Sequence, residues 1–379
     1  AAVTTKCNAI HPGFGFLSEN AEFASICEEC NIKFIGPSSE TMSIMGNKSR
    51  ARDIMKSAGV PVVPGSDGVV ATYEDAMVEA RKIGFPLMIK ASAGGGGKGI
   101  RLVRKFEELE NAYNTAKSEA KNNFNDDSVY MEKFIENPRH IEFQILGDSF
   151  GNVVHLGERD CSVQRRNQKV IEEAPSYILS AELREKMGDV AVRAAKAVNY
   201  VNAGTIEFLV DKNNDFYFME MNTRIQVEHP ITEMITNVDI VKEQLKIASG
   251  EEMKLNQDMI KIDGHAIECR INAENPSRNF APCPGKIKFL NLPGGNGIRV
   301  DTAVYPGYTI PPLYDSMIAK LIVHGKTREE AIRKMISALE EVVIDGIDSN
   351  VDFHISILNN KRFREGSFDT SFISEEFGL

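Results

Sequence analysis

Two acidic residues flanking a tight turn constrain this chain more than any other feature. Between Thr205 and Asn222 two apolar stretches flank Lys212-Asn213-Asn214-Asp215, and asparagine tolerates the positive φ that a two-residue turn requires. Pairing outward from that tip sets Glu207 opposite Glu220. Carboxylates facing each other at about 5 Å between Cβ atoms destabilise a sheet unless positive charge joins them. Hard oxygen ligands suit Mg²⁺ bridging nucleotide phosphates, and strand alternation adds Asn222 on the side of Glu220. A solvated acidic strand explains poorly why Ile206, Phe208, Phe216 and Phe218 are expected to pack around these carboxylates.

Gly94-Gly95-Gly96-Gly97-Lys98-Gly99 lies between the apolar strands Leu87–Ser92 and Ile100–Val103. A dinucleotide-binding loop needs a helix directly after it, and a P-loop needs Ser or Thr where Gly99 stands. What remains is a strand–loop–strand flap whose bare N–H groups can approach phosphate oxygens. Lys90, at the end of the preceding strand, is placed to neutralise phosphate or to point into water. Beyond the hairpin, Arg224, Gln226 and Glu228 alternate, so an extended segment aims all three to one side. Such a set can hold a small planar anion and offer a base. The charge clusters Glu158–Lys169 and Glu268–Glu274 fit either anion binding or surface ion pairing.

At 379 residues, two or three domains are expected. Hydrophobic residues at 42% and charged residues at 26% are values of a soluble globular chain. No apolar run approaches the roughly 20 residues that cross a bilayer, and no export leader opens the sequence, so no membrane partner is expected. A net charge of −10 with no basic stripe argues against nucleic acid. Six dispersed cysteines form no disulfide framework, which suits a cytoplasmic home. Cys27 and Cys30 lie in a helical pattern from Glu19 to Cys30 without a second pair, and read as ordinary helix residues.

The opening residues read like the middle of a sheet domain: a strand at Asn8–Ile10, a helix capped by Ser18, a strand at Ile32–Ile35, then helices Ser39–Met45 and Lys48–Ser57. Thr72 to Asp75 resembles a capping box before a helix that stops at Gly84, and a strand follows at Ser128–Phe134. Hairpins begin after Arg139, interrupted by a helix at Ala181–Val198. A smaller α+β unit starts near Lys261 and includes a helix at Arg328–Val342.

In chain order, HPGFGFLSEN, FIGPSSE, KASAGGGGKGIR, MEKFIENPRHIEFQ, GERDCSVQRRNQKVIEEAP, EMNTRIQVEHPITEMITNVD, HAIECRINAE and YDSMIAKLI resemble the biotin carboxylase family of ATP-grasp ligases. The resemblance covers essentially the whole chain. It implies a multidomain α+β and α/β fold: a truncated N-terminal βαβ (pre-ATP-grasp) domain at 1–46, an ATP-grasp domain at 47–255 with a glycine-rich lid at about 62–134, and a biotin carboxylase C-terminal domain at 261–371.

By matching position, Lys48, Lys90, Gly96, Gly97, Glu132, Lys133, Phe134, Ile135, His140, Gln164 and Asn167 would contact ATP. Glu207, Glu220 and Asn222 would hold Mg²⁺ or Mn²⁺, the two glutamates also meeting ATP. Lys169, Arg224, Gln226 and Val227 would hold bicarbonate, Glu228 would be its base, and Arg270 would stabilise the biotin enolate. The implied reaction makes carboxyphosphate from ATP and bicarbonate, then passes CO₂ to biotin, as in the first half-reaction of acetyl-CoA carboxylase and fatty acid synthesis. Implied partners are a biotin carboxyl carrier protein, carboxyltransferase subunits and a second copy of the chain.

Two departures stand out: Asn167 occupies a position where many relatives carry His, and the family's opening strands and helices, which help build its homodimer, are missing. The chain ends at Phe377-Gly378-Leu379, where the family's carboxylase portion ends, and carries no Met-Lys-Met motif, which fits a free-standing subunit. The carboxylase portion of a pyruvate, propionyl-CoA or methylcrotonyl-CoA carboxylase is the alternative. Another ATP-grasp enzyme is disfavoured by ERDCSVQRR and ECRINAE together, and a non-catalytic nucleotide-binding module would need no base at Glu228. A protein kinase is excluded by the lack of H-R-D-x-x-x-x-N and D-F-G motifs.

Overall fold

Nine consecutive residues, Arg139–Gly147, are buried, although His140, Glu142 and Gln144 alternate with Ile141, Phe143 and Ile145. Such a strand must lie between an apolar layer and a polar site, and the rest of the architecture supplies both. The computed structural model describes residues 1–92 and 99–379. Strands β1 (Ala9–Ile10) and β2 (Lys33–Phe34) form a small parallel pair. Strands β3 (Leu87–Ala91), β4 (Ile100–Val103) and β5 (Val129–Lys133) form a three-stranded antiparallel sheet covered by the helices Tyr73–Ile83 and Leu109–Phe124.

The main sheet is built from β6 (Arg139–Gly147), β7 (Val153–Arg165), β8 (Gln168–Ala174), β9 (Asn202–Val210), β10 (Phe216–Asn222), β11 (His265–Asn272), β12 (Ile298–Thr302) and β13 (Met317–Gly325). Its order is β10-β9-β6-β7-β8-β11-β13-β12, antiparallel throughout. Ile141, Phe143 and Ile145 of β6, with Ile206, Phe208 and Val210 of β9, pack on Met187, Val190, Ala191 and Ala194 of the helix Ala181–Ala197. Each Ile, Val, Phe or Met side chain in this layer contributes about 1.5–3 kcal/mol on burial. At the other end, Ile267, Cys269 and Ile271 of β11 meet Ala331, Ile332 and Met335 of the helix Arg328–Glu341. Because β8 pairs with β11, main-chain hydrogen bonds join the C-terminal unit to the central one.

Several local expectations are met: Thr72 and Asp75 form the capping box, and the helix Tyr73–Ile83 stops at Gly84, whose φ is 74°. The cap expected at Ser18 is not used. Ser18 is buried in a 3₁₀ turn, Phe16–Glu19, and the helix Ala21–Glu29 is capped by Asn20, whose extended backbone lets its side chain accept from the Phe23 N–H. Cys27 is buried under that helix, while Cys30 is exposed at its end.

The acidic hairpin differs in an instructive way. Its tip has five residues, not a two-residue turn: Asp211 N–H donates to Asp215 O, the Asp211 carboxylate accepts from the N–H groups of Asn213 and Asp215, and Asn214 takes the positive φ. Val210 faces Phe216 and Phe208 faces Phe218; a β-bulge at Met219 then shifts the register so that Glu207 faces Glu220. Plain alternation would put Glu220 and Asn222 on the face of Phe216 and Phe218. The bulge turns them to the polar face and gives Met221 to the apolar layer. Ile206, Phe208, Phe216 and Phe218 therefore lie behind the carboxylates, in the apolar layer, and not around them.

At the β8–β11 seam, buried Glu173 accepts from Arg328 Nε at 2.8 Å and contacts His265 Nε2 at 3.2 Å. Burial alone would raise its pKa, but Arg328 and His265 outweigh it and hold Glu173 at about 2. Its ionic contribution is complete above the unfolded carboxyl pKa and disappears as pH falls toward the folded value. Glu173→Gln is expected to destabilise the fold by about 3–5 kcal/mol at pH 7. In thermal melts the gap from wild type should narrow below about pH 4, and an unchanged gap there would refute the ionic account.

Candidate active site

On the polar face one rung of the sheet runs Arg159 (β7), Glu142 (β6), Glu207 (β9), Glu220 (β10), each paired with the next. Three carboxylates in a row demand compensation, and the neighbouring elements provide it. Arg159, fully buried, donates to Glu142 at 2.5 Å, Gln144 and Thr232 at 2.9 Å, Gln226 at 3.0 Å and Thr205 at 3.3 Å. The Lys169 ammonium, on β8, meets Glu142 at 2.5 Å, Glu228 at 2.6 Å and Glu207 at 3.1 Å. Lys48, in the first turn of the helix Lys48–Ser57, reaches Glu220 at 3.0 Å. His140 Nε2 lies 2.8 Å from Glu207 as an electrostatic contact without hydrogen-bond alignment, while its Nδ1 is 2.6 Å from the Gln164 amide nitrogen.

Burial opposes charge on Glu207, yet Lys169 and His140 hold its pKa well below the usual carboxylate range. Glu228 behaves alike: Lys169, Arg270 and Arg159 together overcome its desolvation. For Glu142 burial wins, and its pKa is raised despite Lys169 and Arg159. Burial also opposes a charged Lys169, but its carboxylate neighbours keep it firmly protonated.

Glu228 sits at the N-cap of the helix His229–Thr236 between two cations, Lys169 on one oxygen and Arg270 at 2.9 Å on the other. Arg270, on β11, also binds Glu172 of β8 at 2.6 Å. The segment after β10 bends where an extended course was expected. Gln226 and Glu228 go into the buried network, and Gln226 donates to Glu207 at 2.7 Å. Arg224 instead stays at the rim, bound to Glu19 at 3.0 Å and Asn222 at 3.2 Å. Glu19 also accepts the Thr223 N–H, which ties the N-terminal unit to the site. The Val227 carbonyl accepts from Lys320 at 2.6 Å.

The residues expected to meet ATP fall in three places. Lys48 and His140 reach the acidic pair on the rung, Gln164 lies against His140, and Lys90 pairs with buried Glu132 across β3 and β5. Lys133 donates to Phe85 O and the Phe134 N–H to Pro86 O, so these residues with Ile135 form the link from the small sheet to the large one. Asn167 stands exposed at the β7–β8 turn with φ 63°, a conformation asparagine tolerates. Gly96 and Gly97 lie outside the described residues. As donors for a divalent metal, Glu207, Glu220 and Asn222 fit: adjoining oxygen-bearing side chains on one face, with Glu207 register-paired to Glu220. The cluster 158–169 resolves into two parts, a buried stretch at Glu158–Ser162 and a pair of half-buried Arg165 and exposed Arg166, which bind Asn279.

Sequence reasoning missed Glu142, Glu172 and Glu19 and left Arg159 undecided between surface and site. The polar alternation of β6 was the available sign for Glu142. Replacing Arg159 with Lys keeps the charge but cannot span five acceptors. Arg159→Lys is expected to cost about 3 kcal/mol or more in denaturation experiments. A loss below about 1 kcal/mol would mean that Lys169 alone balances the rung.

Residues 1–42 match the biotin carboxylase N-terminal domain, 47–256 the ATP-binding domain of the carbamoyl-phosphate synthase L chain, and 268–375 the biotin carboxylase C-terminal domain. Biotin carboxylase 1 of Bacillus subtilis (strain 168) is 57% identical over 373 residues, which cover 98% of this chain and 83% of the relative. A Campylobacter jejuni biotin carboxylase structure superposes with a TM-score of 0.96 at 51% identity, covering 99% of this chain and 84% of that one. The biotin carboxylase domain dimer of Hydrogenobacter thermophilus 2-oxoglutarate carboxylase, in complex with MgADP, ADP and bicarbonate, gives a TM-score of 0.94 at 53% identity, with coverages of 99% and 83%. With these three domains in sequence and the same fold around the carboxylate rung, the chain belongs to the biotin carboxylase family of ATP-grasp enzymes.

Proposed function

We propose that Glu228, Lys169, Arg224 and Arg270 are the reacting centre for the activity of this family, ATP- and Mg²⁺-dependent carboxylation of biotin by bicarbonate. The observation that carries the assignment is Glu228 held between Lys169 and Arg270. So placed, the carboxylate is ionised but a weak base. A bicarbonate anion entering beside Lys169, Arg224, Gln226 and the Val227 backbone draws Lys169 away from Glu228 and restores basicity. Glu228 then takes the bicarbonate hydroxyl proton, and the freed oxygen attacks the γ-phosphate of ATP to give carboxyphosphate and ADP.

Lys48, Lys90 and His140 face the phosphates, while Glu132 to Ile135, Gln164 and Asn167 border the nucleotide; Gly96 and Gly97 are proposed to cover it. Glu207, Glu220 and Asn222 would hold Mg²⁺, which would supply neutralisation of phosphate charge. Carboxyphosphate breaks down to CO₂ and phosphate, the phosphate removes the biotin N1 proton, and N1 captures CO₂. Arg270 stabilises negative charge developing on the biotin ureido oxygen.

We further propose a biotin carboxyl carrier protein and carboxyltransferase subunits as partners, a homodimer, a cytoplasmic location and acetyl-CoA as final acceptor. The dimeric Hydrogenobacter relative supports the second copy. Six unpaired cysteines support a reducing compartment, and among the described residues no helix is long and apolar enough to cross a membrane. A relative from a 2-oxoglutarate carboxylase shares the fold at 53% identity, so pyruvate, propionyl-CoA or methylcrotonyl-CoA as acceptor would leave these residues in place. The proposed domains are 1–46, 47–255 with a lid at about 62–134, and 261–371, the last two sharing one sheet.

ADP release with Mg²⁺ and bicarbonate, with and without free biotin, tests this reading. Glu228→Gln should lose biotin-stimulated turnover by about 10²-fold or more while still binding ATP. Unchanged turnover in that variant would remove Glu228 as the base.

A further inference from the structure

Glu268 on β11 is fully buried, and neither of its carboxyl oxygens has a hydrogen-bond partner. Its register partner on β8 is Glu172, equally buried; Glu172 Oε1 accepts from Arg270, and its Oε2 has no partner. On the opposite flank β13 offers Ile322, and the helix His229–Thr236 closes this face with Ile231 and Ile235. The charged groups around Glu268 are Glu172 from β8, Arg270 on its own strand, Lys320 from β13 and Glu228 at the head of the covering helix. Of the titratable groups on that helix, His229 is kept neutral, its pKa lowered to about 3 by burial and by Lys320, and Glu233 is paired with Arg299 at 2.6 Å.

None of the cations is hydrogen-bonded to Glu268. Arg270 divides its guanidinium between Glu172 and Glu228, and Lys320 donates to the Val227 carbonyl while lying 3.5 Å from Asp301. Two ionised carboxylates paired across strands, about 5 Å apart at Cβ, repel each other in a site that offers no further donor. One proton between them removes the repulsion and satisfies an orphan oxygen on each side. We propose that Glu268 is a protonated carboxylic acid at neutral pH, that its O–H donates to Glu172 Oε2, and that this acid–carboxylate pair is a positioning element holding Arg270 against Glu228. Burial, reinforced by Glu172 and Glu228, pushes Glu268 well above the carboxylate range, and burial lifts Glu172 to about 7, consistent with one proton on the pair.

Glu268 touches no reacting atom in this scheme. Its kinetic consequence rests on the proposed role of Arg270 and Glu228, whereas its protonation stands apart from that role. Infrared spectra of the full chain at pH 7 should therefore contain a protonated-carboxyl C=O band that is missing in Glu268→Gln. Glu268→Leu, which packs but cannot donate, should lose about tenfold in biotin-dependent kcat with the KM for ATP unchanged. Glu268→Gln, which keeps a donor, should recover kcat to within about threefold of wild type.

An infrared spectrum in which Glu268→Gln removes no such band would overturn the protonation. A band that disappears alongside full kcat in Glu268→Leu would overturn the positioning role. If the wild-type chain shows no biotin-stimulated turnover, the proposed function fails, while the infrared comparison still decides the proton.

Discussion

Three carboxylates on one rung of a sheet are the constraint from which the rest of this structure follows. Glu142, Glu207 and Glu220 occupy adjacent strands at spacings where like charges destabilise pairing. A chain carrying them must supply cations, and it does so from three elements: Arg159 at the end of the rung on β7, Lys169 on β8 and Lys48 at a helix start. Neither Arg159 nor Lys169 could be replaced by a surface ion pair, because a surface pair contributes at most about 1 kcal/mol, whereas an uncompensated buried charge costs several. The polar face therefore forms only when the strands, the helix His229–Thr236 and the N-terminal segment have all assembled.

The same balance determines the chemistry. Lys169 touches three carboxylates that face different neighbours: Glu207 beside Asn222 and Gln226, Glu228 beside Arg270, and Glu142 beside Arg159. An anion that competes for Lys169 alters all three at once. A site whose resting charges already neutralise one another can respond in this way to a singly charged substrate, because a small displacement of one ammonium group redistributes several interactions.

Much of this was legible in the residues, though sometimes for an incomplete reason. The pairing of Glu207 with Glu220 followed from the hairpin tip, yet simple alternation would have buried Glu220 and Asn222 among phenylalanines. The bulge at Met219 corrects the face, and pattern reading cannot see a bulge because it assumes an unbroken period of two. A second bulge at Val170 acts similarly on β8: Val170 and Ile171 both pack in the C-terminal core, leaving Lys169 and Glu172 on the polar face. Glu142 and Arg159 were harder. On a strand, an alternating polar residue looks the same whether it meets water or a buried partner, and Arg159 finds Thr205, Gln226 and Thr232 only through the tertiary fold.

Continuity of the sheet explains how one site can serve two substrates. Strand β8 carries Lys169 toward Glu207 and Glu172 toward Arg270, while Glu173 anchors the opposite face to Arg328. Because β8 is hydrogen-bonded to β7 on one side and to β11 on the other, the two ends of the site cannot shift independently. A flexible linker between an ATP-binding unit and a biotin-binding unit would leave the distance from Lys169 to Arg270 free to vary. Here Glu228 is the atom-level record of that distance, since its two oxygens are satisfied only when both cations stand in register. Sharing one sheet is thus what keeps Glu228, the proposed base, aligned with Arg270, the group proposed to stabilise the biotin ureido oxygen.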